Sequence, residues 1–382
     1  MNRPRILIVT RNMPPLVGGM ERLNWHIADS LSHFADVRVV SPEGSSALQP
    51  ERVAITEVPL RPLWRFLLGS GWTSLRIAHQ WKPHIVLAGS GLTAPAVIMA
   101  ARAANARACV YLHGLDAAVQ HPVYRMLWHP AIRRMNTVIA NSQATATLAQ
   151  TLGVEAKRLQ IVHPGVQMPD IPQSNSALHA FRELHKLGSA RLLLSVGRLT
   201  ERKGLREFVQ NSLPAIVRSV PGILFVIVGD TPTDALLAGV QTRASIQAVA
   251  DAAGVGSHLR FLGVITDQQQ LACAYESASV HVFPVRELDG DPEGFGMVAI
   301  EAAAHGLPTV AFSTGGITEA VQTDKSGYLV RPHDYTRLTQ AILQVLAGNP
   351  ELWALKATDF AKQFAWPHLE KKIYTALYPS QQ

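Results

Sequence analysis

"RLLLSVGRLTERKGLREFVQNSL", residues 191–213, contains three successive patterns. Residues 191–196 form an apolar run without polar alternation, the pattern of a strand buried on both faces of a parallel sheet. A polar turn follows, bounded by Gly197 and Gly204 and carrying Arg198 and Lys203. Leu205, Phe208, Val209 and Leu213 then recur at helical spacing. Strand, basic turn and helix in that order predict one unit of an α/β fold.

The same rhythm extends in both directions. Upstream, "RILIVT", "DVRVV", "HIVLA", "ACVYLH", "TVIA" and "LQIV" read as strands, and downstream "ILFVIVG", "HLRFLG", "SVHVFP", "PTVAF" and "GYLV" join "RLLLSV". Twelve expected strands divide six and six. Helical segments lie between them, such as "GMERLNWHIADSLSHF" with Met20, Leu23, Ile27 and Leu31 on one face. The periodicity breaks in the Pro-, Ser-, Asn- and Gln-rich stretch 164–181. We therefore expect two doubly wound parallel-sheet domains, 1–170 and 189–363, joined by a linker at 171–188. Residues 364–382 are expected to form an amphipathic terminal helix that returns to the first domain. Ligands of such folds bind at the carboxyl ends of the strands, and two facing domains would form a cleft between those edges.

The chain has 382 residues, 47% hydrophobic and 16% charged. No apolar run reaches the roughly 18 residues of a membrane-spanning helix, and the N-terminus enters a strand pattern without a signal-peptide pattern. A cytoplasmic chain is the expectation. The two cysteines, Cys109 and Cys273, form no metal-ligand spacing and are expected to be buried. Charge is uneven: residues 1–180 carry 17 Lys and Arg against 9 Asp and Glu, while 181–382 carry 18 against 19. Basic residues interleave with aromatics in 61–82 (Arg61, Arg65, Arg76 and Lys82 with Trp64, Phe66, Trp72 and Trp81) and again in 121–134. That mixture suits the interface of an anionic bilayer, with helix packing as the alternative use of the aromatics.

Four stretches that follow strands carry candidate chemistry. In "PPLVGGMER", Gly18 and Gly19 precede a helix whose N-terminus offers N–H groups to an anion. In "VGRLTERKG", Arg198 and Lys203 lie beside Gly197 and supply a fork and a mobile point charge for a diphosphate. In "EGFGMVAIEAAAHG", Glu293 precedes the helix and Glu301 lies about one turn into it, roughly 10 Å apart at the helical rise. The N–H groups of Gly294, Phe295, Gly296, Met297 and Val298 lie between the two carboxylates, so one ligand could place hydroxyls on each glutamate and phosphates on the turn. In "YLHGLD", His113 and Asp116 occupy a loop suited to a substrate hydroxyl.

Together, "PPLVGGMER", "HGLD", "VGRLTERKG" and "EGFGMVAIEAAAHGLPTVAFSTGGITEAV" resemble the retaining glycosyltransferases of family 4, in the family's order and over essentially the whole chain. The resemblance implies the GT-B fold, with an acceptor-binding first domain and a second domain that binds a UDP- or GDP-sugar. It implies that Gly19 approaches the diphosphate, which Arg198 and Lys203 hold. Glu301 would take the ribose, Glu293 the donor sugar's hydroxyls, and His113 the sugar near the reacting carbon. Gly315 and Gly316 match the family's later glycine pair. The implied reaction is transfer with retention to a lipid-linked or membrane-borne saccharide in envelope polysaccharide synthesis, on the inner face of the cell membrane, with no nucleic acid partner.

"FPVRELDGDPEGFG" departs from the family by an acidic insertion, in which Asp289 and Asp291 form a DxD. Such a pair could hold a divalent cation. Because Arg198, Lys203 and the helix N-terminus already offer positive charge, a solvated loop without metal or other cofactor is expected. A transferase with a small soluble acceptor and a non-catalytic nucleotide-sugar binder remain the alternatives. A dinucleotide-dependent oxidoreductase is disfavoured, since no GxGxxG follows the first strand.

Overall fold

The structure, a computed structural model, describes residues 3–232 and 239–378. It divides into two compact units, 1–165 with 366–382, and 166–365. Among the described residues the first unit has seven parallel strands: β1 (Arg5–Val9), β2 (Asp36–Pro42), β3 (Val53–Val58), β4 (Ile85–Ala88), β5 (Arg107–Leu112), β6 (Thr137–Ala140) and β7 (Leu159–Ile161). Their spatial order is β3-β2-β1-β4-β5-β6-β7. The second unit has six: β8 (Arg191–Val196), β9 (Ile223–Val228), β10 (Leu259–Gly263), β11 (Val280–Phe283), β12 (Thr309–Phe312) and β13 (Gly327–Val330), ordered β10-β9-β8-β11-β12-β13. Both are doubly wound α/β sheets. Strand order reverses between β1 and β4 in one and between β8 and β11 in the other, and each reversal opens a crevice at the carboxyl ends of those strands. Helices cover the sheet faces because every side chain of β4, β6, β11 and β12 is buried. Cys109 and Cys273 are buried free thiols.

Two sequence expectations need correction. The edge strand β3, "VAITEV", was not among the twelve, because the criterion of continuous apolar runs misses an edge strand. Only Val53 and Val58 at its ends are buried. The expected linker at 171–188 contains a helix, Asn175–Leu184, whose Ser174 side chain accepts the Ala177 N–H at 3.2 Å as its cap. Phe181 of that helix is buried with Leu192, Leu194 and Tyr275, so the segment belongs to the second unit. The chain passes between units at Gly165–Val166 and again at Ala365–Trp366. The terminal helix, Trp366–Leu377, buries Leu369, Ile373 and Leu377 with Ile6, Ile8 and Ile27 of the first unit.

Candidate active site

The loops after β8 and β11 meet at the second sheet's reversal. Gly197, with φ +141°, lets the chain turn sharply off β8 in a backbone conformation that other residues rarely adopt, and the Lys203 side chain lies alongside it. A short 3₁₀ turn, Glu201–Lys203, then aims two cations at the β11 loop. Lys203 Nζ donates to Glu293 Oε2 at 2.7 Å and sits 4.5 Å from the centroid of the Phe283 ring. Arg202 also donates through its guanidinium to Glu293 Oε2, and its Nε donates to Asp291 Oδ1 at 3.2 Å. These side chains are largely buried. Arg198, at the same strand end, is exposed, and its side chain has no hydrogen bond or ion pair among the described residues.

The charges bias one another. Burial pushes the Glu293 carboxyl up, but the Arg202 and Lys203 cations outweigh it and hold the group at about 2. Burial, joined by Arg202 and Arg198 and opposed by Glu293, holds the Lys203 ammonium down at about 8. His281 on β11 is pushed down to about 3 by burial and by Lys203, so near neutral pH it adds no charge. The site therefore presents an anion between two buried cations with a third cation exposed beside them.

The helix after the turn is Met297–Ala304, entered through Gly296. Gly296 O accepts the Ala299 N–H at 2.9 Å, so the N–H groups ahead of Ala299 belong to the open first turn. The Phe295 ring is buried in the core, which leaves only its backbone for a ligand. Glu301 is buried, and the Tyr275 hydroxyl donates to its Oε2 at 3.0 Å. Gly315 and Gly316 back the turn. The Gly316 N–H donates to Glu293 O at 3.0 Å, and a Cβ on either glycine would strike the backbone of residues 293–295.

In the first unit, the His113 N–H donates to Asp116 Oδ2 at 3.0 Å, and His113 Nε2 lies 2.8 Å from Gly89 O. A carbonyl oxygen only accepts, so the proton is on Nε2, and Nδ1 is the nitrogen left for a substrate. Gly18 caps the helix Gly19–Ser32. The Glu21 carboxylate packs against Gly18 and accepts from Asn12 Nδ2 at 2.7 Å, placing a negative group where the sequence suggested room for an anion.

Residues 17–168 match Glycosyltransferase Family 4, and residues 190–348 match the Glycosyl transferases group 1. The chain belongs to the group 1, family 4 glycosyltransferases. It is 27% identical to a GDP-mannose-dependent alpha-(1-6)-phosphatidylinositol monomannoside mannosyltransferase of Mycobacterium tuberculosis, over 97% of both chains. It is 30% identical to a D-inositol 3-phosphate glycosyltransferase of Mycolicibacterium smegmatis, over 60% of this chain and 50% of that one. Its fold is that of Anabaena HepE, crystallised with UDP (TM-score 0.81, 20% identity, 98% of this chain and 100% of that chain). The sucrose-phosphate synthase of Thermosynechococcus elongatus shares it too (TM-score 0.77, 20% identity, 98% of both chains).

The structure brings into the transferase's site two residues that sequence reasoning passed over, Arg202 and Tyr275, and a third, Asp291, that it had placed in a solvated loop. Adjacency to Lys203 was a signal for Arg202, but nothing in the sequence pairs it with residues about ninety positions away. Asp291, expected to be solvated, is instead half-buried against Arg202, because an arginine fork there can serve two carboxylates. Asp289 is exposed, as a solvated loop requires. Among the described residues no group of three or more His, Cys, Asp or Glu side chains is placed to hold a metal ion.

The basic, aromatic stretches form two helices of the first unit, Leu63–Trp81 and Pro122–Arg133, with Ala94–Ala104 packed against both. Phe66 and Ile77 are core residues, whereas Trp64, Leu68 and Trp72, spaced four apart on one stripe, are 59%, 68% and 72% exposed. Met99, Met126 and Leu127 are exposed on the neighbouring helices, and Arg65, Arg76 and Arg125 are exposed beside them. Among the described residues no helix is long and apolar enough to cross a membrane.

Proposed function

We propose that this glycosyltransferase moves a hexose from a UDP- or GDP-sugar, with retention and without a metal, to a lipid-linked saccharide at a membrane surface. The observation that carries the reading is Lys203 held against Glu293 at the reversal of the second sheet, with Arg198 exposed beside it. Two phosphate groups need charge where the leaving group forms, and these cations supply it. Lys203 and Arg198 take the diphosphate together with the open N–H groups of residues 294–298. Glu301 takes the ribose hydroxyls, with Tyr275 fixing one of its oxygens. Glu293 orients the donor sugar and offsets positive charge at the anomeric carbon. The bond from that carbon to the phosphate oxygen breaks, and its electron pair leaves with the diphosphate. An acceptor hydroxyl bonds to the carbon on the same face, and its proton passes to the leaving phosphate. In the first unit, His113, through Nδ1, and Asp116 are the side chains suited to a substrate hydroxyl.

GDP-mannose is the first donor to test, since the relative matched over nearly the whole chain is GDP-mannose-dependent and acts on a phosphatidylinositol monomannoside. The exposed tryptophan and arginine stripe supports an anionic bilayer as the place of reaction and a peripheral, cytoplasmic protein. A second reading, a soluble acceptor such as an inositol phosphate, is favoured by the partial match to an inositol-phosphate transferase. Nucleotide-sugars should be screened by thermal shift, and the stabilising donor incubated with vesicles of anionic phospholipid bearing a mannosylated lipid, or with inositol phosphate. Stabilisation by one donor and labelling of the lipid support the proposal. Labelling of the inositol phosphate alone supports the second reading, and absence of any donor-dependent product refutes both.

A further inference from the structure

Arg202 reaches the acidic insertion from three directions. Its carbonyl accepts the Arg286 N–H at 2.8 Å, its Nε donates to Asp291 Oδ1 at 3.2 Å, and its guanidinium donates to Glu293 Oε2. The loop from β11 to the helix at Met297 thus begins, bends and ends on one residue of the β8 loop. Arg286 is tied down in turn, since its Nη1 donates to Glu207 Oε1 at 2.8 Å. Asp291, in the acidic stretch of this loop, contributes the second carboxylate that orients the Arg202 fork. A buried arginine with two carboxylate partners has little rotational freedom, and its planar fork fixes the direction in which each partner points.

We propose that Arg202 is a positioning residue for sugar transfer, a clamp that uses Asp291 as its counter-anion to hold Glu293 ionised and aimed at the donor. This rests on the function proposed above. The geometry gives the clamp a definite task. Glu293 Oε2 is shared between Lys203 and Arg202, so in the donor-free site the carboxylate neutralises the lysine that the diphosphate needs. When the diphosphate draws Lys203 away, Arg202 stays on Glu293 and preserves its charge and direction. Without Arg202, Lys203 is the one cation left acting on Glu293 among the described residues, and the lysine, whose own neighbours include Arg198 and the neutral His281, would be claimed by two anions. The carboxylate would then lose its charge at ordinary pH in a buried place, because burial already pushes it up.

Steady-state transfer across pH 5 to 9 with the wild-type enzyme, Arg202→Ala, Arg202→Lys and Asp291→Asn tests this, with melting temperatures measured alongside. Loss of one charge-assisted hydrogen bond lowers kcat of Arg202→Ala about ten- to a hundredfold, with donor KM changed less than about threefold. The alanine variant also gains an acid-side fall in rate that the wild type lacks over this range, since Glu293 there titrates at about 2. Arg202→Lys restores the pH profile and part of the rate, because a point charge serves Glu293 but cannot fork to Asp291. Asp291→Asn falls between the two. An active wild type whose Arg202→Ala variant keeps both kcat and the pH profile overturns the clamp alone. A folded variant that loses rate equally at every pH, with no rescue by lysine, also overturns it, as a purely structural role would give that result. A wild type inactive with every donor overturns the proposed function and the clamp together.

Discussion

Lys203→Met removes the ammonium while keeping the stem that lies over Gly197 and the Phe283 ring. Its effect on stability follows from two opposed quantities. Lys203 titrates at about 8 instead of 10.5, which corresponds to about 3 kcal/mol against the charged form in the fold. A folded value below the unfolded one means that this cost is present below about pH 8 and fades as pH rises from 8 to 10.5. Methionine abolishes it. Glu293, held at about 2 instead of 4.5, carries about 3 kcal/mol of the opposite sign near neutrality, of which Lys203 supplies a share and Arg202 the rest. The share from Lys203 is the same attraction already netted in the lysine's value, and Arg202 stays on Glu293, so at pH 7 the variant should be at least as stable as the wild type, as replacement of one member of a buried charge network by an apolar isostere often is when another partner remains. The melting temperature should not fall more than about 4 °C below that of the wild type. Transfer should fall at least about a hundredfold, the effect of removing one preorganised charge from a developing anion. The assay is initial-rate sugar transfer, with donor hydrolysis in the absence of acceptor as a second readout. A stable Lys203→Met variant with rates within about threefold of the wild type would falsify the assignment of Lys203 to the diphosphate.

Three further outcomes follow from the same geometry. Because kcat/KM reports the free enzyme, it should decline as pH rises through about 8, where Lys203 loses its proton, and Lys203→Arg should carry that decline to higher pH; an unmoved decline would assign it to another group. Glu301→Gln should raise the nucleotide dissociation constant about tenfold and Tyr275→Phe by less, since Tyr275 acts on the carboxylate through a hydrogen bond to Oε2; calorimetry with the nucleoside diphosphate measures both, and unchanged affinity in Glu301→Gln would remove the ribose assignment. Transfer should persist in excess EDTA, because Asp291 is committed to Arg202; loss of rate restored by added Mg²⁺ would refute the metal-free reading.

Much of the architecture was legible in the chain. The runs of β1 and β8 are mostly apolar and do not alternate because a strand buried on both faces has no solvent side to mark, and the glycines and cations after β8 stand out against them. The half-exposed β3 lacks that signature, and the helix Asn175–Leu184 was hidden in a Pro- and Ser-rich stretch whose Ser174 proved to be a cap. Local pattern thus determined the fold class, the existence of a phosphate-compatible loop at Arg198 and Lys203, and the pair Glu293 and Glu301. Tertiary structure decided the partners. That Lys203 and Arg202 converge on one oxygen of Glu293, that Asp291 leaves solvent for Arg202, and that Tyr275 lies behind Glu301 all depend on β8 and β11 being neighbours across the reversal of the sheet. Strand order is a non-local property, and a charge's pKa is set by the groups it meets across that order rather than by its neighbours in the chain.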